Sequence, residues 1–308
     1  MELTVLSYGK LNLFLEILGR ASDGYHELST VMQTVSIADT LRFEEAEGLE
    51  VTADGPDVPD GEGNLVWKAA VRLREESGVR RGARIRIEKG IPAAAGLGGG
   101  SGDAAAALVA LARLWGVRAP LEDLIRIGSE LGSDVPFFFY GGTRLCEGRG
   151  EIVSPWPPIP QSTRFLVVTP DLRLSTSFVY EEFERRGLTG GPPSSNLKRV
   201  PGGISDPGLL LRSLFNRLEE AVLPTCPSLR EMKGRMGPCC PGGVFMSGSG
   251  PTLFGVLPPT WTEEEGFRSR FADARFAAIA RPTSSGYRIL PQIDTGLSKE
   301  GGEHHGDQ

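Results

Sequence analysis

The segment Pro92-Ala93-Ala94-Ala95-Gly96-Leu97-Gly98-Gly99-Gly100-Ser101-Gly102-Asp103 constrains this chain more than any other. Upstream, the alternating residues Ala83–Glu88 read as a strand; downstream, the alanine-rich run Asp103–Trp115 reads as a helix that stops at Gly116. Gly96, Gly98, Gly99 and Gly100 raise the chain-entropy cost of folding unless the backbone must bend sharply or approach something closely. A helix opening just after such a loop turns unsatisfied N–H groups and its positive dipole end toward the loop's concave side, where phosphate oxygens bind well. Ser101 is placed to cap that helix or to offer its hydroxyl to a phosphate. The plainer alternative is a loop that only turns the chain, and the glycine density at a helix N-terminus weighs against it.

Two phosphate motifs compete. A P-loop needs Lys and then Ser or Thr after its last glycine, and this loop supplies neither. Gly100-Ser101-Gly102-Asp103-Ala104-Ala105 satisfies the dinucleotide pattern G-x-G-x-x-A. That fold requires a second strand ending in an acidic residue after the helix. Here a second helix follows instead, opened by Pro120 and ending near Gly132, so the dinucleotide reading fails.

The 308 residues suggest about two domains. Lys and Arg number 33 against 39 Asp and Glu, a net charge of −6, which argues against a nucleic-acid or polybasic membrane binder. No apolar run approaches the roughly 18 residues that span a bilayer. Glu2 follows Met1 and alternation begins at once, so no signal or transit peptide is expected, and the protein reads as cytoplasmic. Cys146, Cys226, Cys239 and Cys240 are too few and too irregular for a disulfide scaffold and read as reduced thiols. His26, His304 and His305 are the only histidines, so a multi-histidine metal site is excluded; G-x-S-x-G does not occur.

Along the chain, residues 3–19 read as a strand carrying Lys10 and Asn12, followed by a turn at 21–24 and further strands within 31–52. After a Gly/Pro loop at 54–63, Asn64 caps a helix that runs to about Ser77, with Gly78 as its stop. Val135–Tyr140 and Leu145–Val153 read as strands, and the proline-rich run Ser154–Pro160 marks a domain boundary. Beyond it come a strand at 165–169, a helix at 176–185, a loop at 187–208 and helical segments at 209–222 and 227–236. A strand-turn-strand at 243–257 holds Ser247-Gly248-Ser249-Gly250, then a helix covers 262–272 and a strand 275–280. The polar residues beyond Pro291 read as disordered.

Phosphoryl transfer needs charge neutralisation and a group that orients or deprotonates the acceptor hydroxyl. Lys10, on an otherwise apolar strand, is a candidate cation, and Asp134, between a helix and a very apolar run, a candidate carboxylate. Taken singly, a strand lysine usually snorkels and such an aspartate usually makes a turn. Periodicity does not bring the two together. Likewise Tyr25-His26 after Asp23-Gly24 reads as a turn with two surface rings, and Tyr180 equally as core or as site.

In combination these segments resemble a known family. Gly9-Lys10-Leu11-Asn12-Leu13, Pro92–Ala106, Leu131–Pro136 and Ser247–Pro251 follow the order of the three motifs of the GHMP kinases. K-L-N-L-F-L at 10–15, D-G-Y-H at 23–26, N-L-V at 64–66, G-L-G-G-G-S at 96–101 and L-G-S-D-V-P at 131–136 resemble the branch that acts on 4-diphosphocytidyl-2-C-methyl-D-erythritol. The similarity spans residues 5–290.

The resemblance implies an α+β, two-domain GHMP kinase fold. Residues 1–155 would form a ribosomal protein S5 domain 2-like ATP-binding domain and 156–290 a ferredoxin-like domain, with a disordered tail at 291–308. It implies ATP-dependent phosphorylation of the substrate's 2-hydroxyl on the non-mevalonate route to isoprenoids, with Mg²⁺ accompanying ATP through unassigned ligands. By the same carry-over Asp134 is the base or orienting carboxylate, and Lys10 its charged partner. Asn12 places the acceptor end, Tyr25 and His26 recognise cytosine, Tyr180 lies across that base, and Thr176 and the Gly248-Ser249-Gly250 turn add substrate contacts. Asn64 and Leu65 line the adenine pocket, while Pro92 and Gly96-Leu97-Gly98-Gly99-Gly100-Ser101 wrap the phosphates. Tyr8-Gly9 stands where the family more often has Pro-Ala, and Gly102 where a second serine is common; neither removes Lys10 or Asp134. A monomer or weak homodimer is expected, without nucleic-acid or membrane partners. The rival readings are a homoserine- or mevalonate-type GHMP kinase and a GHMP-like protein that binds ligands without catalysis.

Overall fold

The structure is a computed structural model that describes residues 2–20, 24–55, 57–188, 211–262 and 266–291. Expectations for the turn at 21–23, the loop at 189–208, the acidic run Glu263–Glu265 and the tail beyond 291 lie outside those residues.

Two long antiparallel strands organise the first sheet: β1 (Glu2–Arg20) and β2 (His26–Ala46). At one end β2 pairs with β4 (Gly82–Glu88), which pairs in parallel with β3 (Leu49–Ala53). At the other end β2 pairs with β5 (Thr143–Gly148), which forms a hairpin with β6 (Ile152–Pro155). The free side of β1 is covered by two late strands: β8 (Phe215–Asn216), in parallel, and β12 (Tyr287–Ile289), antiparallel. The helical reading of 209–222 is corrected at its middle, because Phe215 and Asn216 are recruited as sheet partners of Phe14 and Leu15, while Glu219–Val222 is helical.

Helices α1 (Leu65–Ser77), α2 (Gly99–Trp115), α3 (Leu121–Leu131) and α4 (Val135–Tyr140) share one hydrophobic core with the inner face of this sheet. The Asn64 side chain accepts a bond from the Val66 amide and caps α1, and Gly78 ends it in the left-handed conformation. The alanines of α2 are buried on nearly every side, so the helix packs tightly against its neighbours.

Two expectations fail locally. α2 begins at Gly99 rather than Asp103, and its N-cap is Gly98, so Ser101 lies in the first turn and does not cap. A Cβ at Gly99 would sit 3.3 Å from Asp39 Oδ2, so glycine lets that turn press onto a buried carboxylate. Val135–Tyr140 is a helix rather than a strand. Its apolar run is too short for periodicity to decide, and Pro136 at the first turn is the helix-compatible signal.

The second sheet has the order β11-β7-β10-β9, formed by β7 (Phe165–Thr169), β9 (Phe245–Met246), β10 (Leu253–Val256) and β11 (Phe276–Ala280). It shares a core with α5 (Thr176–Arg185) and the helix Pro227–Met236. A third cluster joins the two units: Leu11, Leu13 and Val31 of the first sheet pack with Phe165, Val167 and Phe254 of the second. The four cysteines are free and buried. Among the described residues, no helix is long and apolar enough to cross a membrane.

Candidate active site

Between the two units opens a cleft of about 760 Å³, and beside it a smaller cavity of about 300 Å³. Ala94, Gly96, Gly98 and Ser101 line both, so the glycine-rich loop is the wall they share.

Lys10 and Asn12 project to the same side of β1, two positions apart. Lys10 Nζ donates to Asn12 Oδ1 at 2.5 Å and lies 3.6 Å from Asp134 Oδ2. The lysine side chain is only 4% exposed and the aspartate 32%, so the cation is sunk in the floor while the carboxylate faces the cleft. Asp134 stands at the N-cap of α4, yet its side chain makes no capping bond and is left free for the cleft. Asn12 is fixed in turn by donating from Nδ2 to Thr30 Oγ1 at 2.9 Å.

The loop is locked from two sides. Leu97 C=O accepts from the Lys10 amide at 2.8 Å, and Ala95 C=O from the Thr252 amide at 3.3 Å. Ser247 Oγ donates to Gly96 C=O at 2.9 Å. The Leu97 side chain is buried in the core and lines neither cavity, so only its backbone serves the loop. Gly96 has φ +78° and its missing Cβ would lie 2.2 Å from Ser247 C=O, so no other residue fits there. The turn after β9 completes the floor: a Cβ on Gly248 would stand 3.2 Å from Lys10 Nζ. Ser249 Oγ meets Thr176 Oγ1 at 3.0 Å, and Gly250 lines the same cleft.

The smaller cavity is lined by Asn64, Leu65, Pro92 and the first turn of α2, including Gly99 and Gly100. Beneath it lies a charge cluster that sequence reading missed. Lys89 Nζ bonds Asp39 Oδ2 at 2.5 Å and Asp103 Oδ2 at 3.0 Å, while Asp39 Oδ1 accepts from the amides of Gly90 and Ile91. Burial alone would lower the Lys89 pKa, but the two carboxylates outweigh it and raise it. Burial, and then the Asp39 charge, push the Asp103 carboxyl up to about 7 despite Lys89. Both shifts follow from one ammonium serving two buried carboxylates, which keeps a proton on the acid pair.

At the far end of the cleft Tyr25 is 59% exposed and carries the Arg149 guanidinium over its ring at 5.0 Å. His26 packs against Tyr180, centroids 4.8 Å apart and planes tilted by 33°, and meets Phe183 in a T-shaped pair with centroids 6.1 Å apart. His26 Nε2 is buried and lies 3.3 Å from Glu184 Oε1, within ion-pair range but off hydrogen-bond alignment. Burial lowers the His26 pKa, opposed by Glu184 and assisted by Arg20. Burial and the Asp134 charge raise the Tyr180 phenol to about 12, so both rings are neutral near pH 7.

All the residues expected at the site except the Leu97 side chain therefore line one cavity or the other. Arg149, Glu184 and Lys89 were overlooked, and Ser247 entered only as part of its motif. Arg149 was visible only as the middle of a Gly-Arg-Gly turn, and Glu184 as one acid on an amphipathic helix.

The cavities suit a nucleoside triphosphate: Gly98 and the first turn of α2, Gly99 to Ser101, line the smaller one and turn the N-terminus of that long helix to it. Among the described residues no three His, Cys, Asp or Glu side chains converge to cage a metal. Lys89 already occupies the space between Asp39 and Asp103.

Comparison with known proteins agrees. Residues 64–142 match the GHMP kinases N terminal domain and residues 195–268 the GHMP kinases C terminal domain. The 4-diphosphocytidyl-2-C-methyl-D-erythritol kinase of Synechococcus sp. (strain JA-2-3B'a(2-13)) is 39% identical over 89% of this chain and 92% of that protein. The kinase of the same name from Pelotomaculum thermopropionicum is 41% identical over 83% of this chain and 89% of its own length. A crystal structure of 4-(cytidine 5'-diphospho)-2C-methyl-D-erythritol kinase superposes with a TM-score of 0.70 at 34% identity, covering 91% of this chain and 99% of the other. A homoserine kinase from Cytophaga hutchinsonii, at 19% identity and TM-score 0.69 over 94% and 97% of the two chains, shares the fold.

Proposed function

Because the chain belongs to the GHMP kinase family, among its 4-diphosphocytidyl-2-C-methyl-D-erythritol kinases, we propose a path by which its cleft transfers phosphate. The reaction is the ATP-dependent phosphorylation of that cytidine diphosphate compound, a step in isoprenoid precursor biosynthesis.

The contact of Lys10 Nζ with Asp134 Oδ2 at 3.6 Å, beside the loop common to both cavities, carries the reading. ATP occupies the smaller cavity, its adenine near Asn64, Leu65 and Pro92, and its phosphates against the amides of Gly96–Ser101. Magnesium, when bound, neutralises the phosphate charge. The acceptor fills the larger cleft with its 2-hydroxyl at Asp134 and its cytosine between Tyr25 and Tyr180, its edge toward His26. Thr176 and Gly248–Gly250 hold the portion between.

The acceptor oxygen attacks the γ-phosphorus as its proton passes to the Asp134 carboxylate. The bond from the γ-phosphorus to the β,γ-bridging oxygen breaks, and ADP leaves with that electron pair. Lys10 stabilises charge gathering on the transferred group, and its bond to Asn12 fixes the ammonium in advance. Residues 1–155 carry the nucleotide end and 156–290 complete the substrate end, in a cytoplasmic protein that acts as a monomer or weak homodimer.

The test is ADP release with Mg-ATP, comparing the cytidine diphosphate substrate with homoserine, mevalonate and a blank. Turnover confined to the cytidine compound is expected. Turnover with an acceptor lacking cytidine overturns the specificity, and binding of ATP without any turnover overturns the assignment of catalysis.

A further inference from the structure

We infer that Glu184 is a positioning residue that sets the tautomer of His26: the proton sits on Nε2, facing the carboxylate, and Nδ1 is left bare as an acceptor for the exocyclic amine of a cytosine. The inference rests on the reading above that the base lies at His26.

The argument starts from the ring's surroundings. His26 is held between Tyr180 and the edge of Phe183, and its side chain is only 10% exposed, so the imidazole does not reorient freely. Its Nε2 meets Glu184 Oε1 at 3.3 Å. A bare Nε2 would set a lone pair against a carboxylate, which is repulsive, whereas an Nε2–H is attracted and needs only a small adjustment to align. Burial keeps the ring neutral, so a single proton must be allotted to one nitrogen. Glu184 itself is steadied by Arg20, whose Nη1 lies 3.3 Å from the same Oε1 while its Nε donates to Gly24 C=O at 3.0 Å.

The consequence is chemical selectivity. On the pairing edge of cytosine the donor is the 4-amino group, whereas uracil carries a 4-oxo acceptor at that position. An acceptor fixed at Nδ1 therefore attracts cytosine and repels uracil. A ring free to move its proton to Nδ1 would serve either base. Discrimination between the bases thus depends on a carboxylate that touches neither.

Two measurements test this on the full-length protein. First, ¹⁵N NMR of the imidazole nitrogens reads the tautomer without any ligand, and only His304 and His305 compete with His26 for assignment. The expected result is a protonated Nε2 and bare Nδ1 in the parent protein and in Glu184→Gln, whose amide oxygen still accepts, with a mixture of tautomers in Glu184→Ala. A proton on Nδ1 in the parent, or no change in Glu184→Ala, overturns the proposal.

Second, titration with CDP and UDP reads selectivity. Loss of one hydrogen bond should cut the CDP preference about tenfold in Glu184→Ala and leave it nearly intact in Glu184→Gln, with ATP affinity unchanged in both. An unaltered preference in Glu184→Ala overturns the selectivity role even if the tautomer is as expected. Failure of the kinase assay would leave both readouts standing, so the two readings fail separately.

Discussion

Lys10 and Asp134 set a sunken cation beside a half-open carboxylate, and under the proposed mechanism that difference makes their substitutions distinguishable. Asp134→Ala removes the proposed proton acceptor from a helix N-cap it does not brace, so the fold should persist. We expect kcat to drop about 10²–10⁴-fold while ATP binding is nearly unchanged, checked by coupled ADP release and nucleotide titration. Neither role was legible in periodicity: β1 and the α3–α4 junction are distant in sequence, and only the family's motif order linked them. The buried trio Asp39, Lys89 and Asp103 was illegible altogether, since each residue alone reads as a turn or surface charge. Its consequence is measurable. The Asp103 pKa is about 7 in the native state against about 3.9 for an unfolded carboxyl, so the native state keeps a proton that the unfolded state has released. Stability should therefore decline as pH rises from about 4 to about 7 and level off above, and Asp103→Asn should flatten that limb in denaturant midpoints taken across the window.

Among the elements, α2 explains a departure from its family's sequence. Gly102 stands where a second serine is common, and a Cβ there would lie 2.9 Å from Ser7 Oγ and 3.1 Å from Tyr8 C=O. The β1 hydroxyl thus occupies the space that the helix side chain vacates, and it is buried without a well-aligned partner. Gly102→Ser alone should destabilise the protein by roughly 1–3 kcal/mol through overpacking, and adding Ser7→Ala should recover most of that loss. Paired denaturant curves decide it; additive losses in the double variant would contradict the shared-space argument. Strands and helices with long periodic runs, such as β1, α1 and α3, were readable directly from the chain. The errors fell where tertiary contact overrides local pattern: α4 is short and apolar, and Phe215–Asn216 is a strand only because β1 offers an edge.

Across the whole molecule, β1 carries Lys10 and Asn12, packs with β2 against the second sheet through Leu11, Leu13 and Val31, and pairs with β2, β8 and β12. The last of these, β12, is fastened by Gly286 C=O accepting from the Tyr8 amide at 2.9 Å and by the Leu290 amide donating to Thr4 C=O at 2.8 Å. Gly286 also packs so closely on Phe138 that a Cβ would lie 2.0 Å from its carbonyl oxygen. Truncation after Ser284 uncovers part of the first core under Tyr287 and Ile289, and should lower Tm by on the order of 10 °C. A melting curve unchanged by that truncation would show the edge to be dispensable. The same arrangement sets a clock for biosynthesis. During synthesis β1 precedes the strands that close its open side by a long stretch of chain, since β8 begins only at Phe215 and β12 only at Tyr287. Until then the nascent chain exposes an unpaired edge beside Lys10, a surface for chaperones to shield. A nascent chain that has not yet reached Phe215 therefore holds Lys10 and Asn12 on a strand whose outer side still lacks both partners.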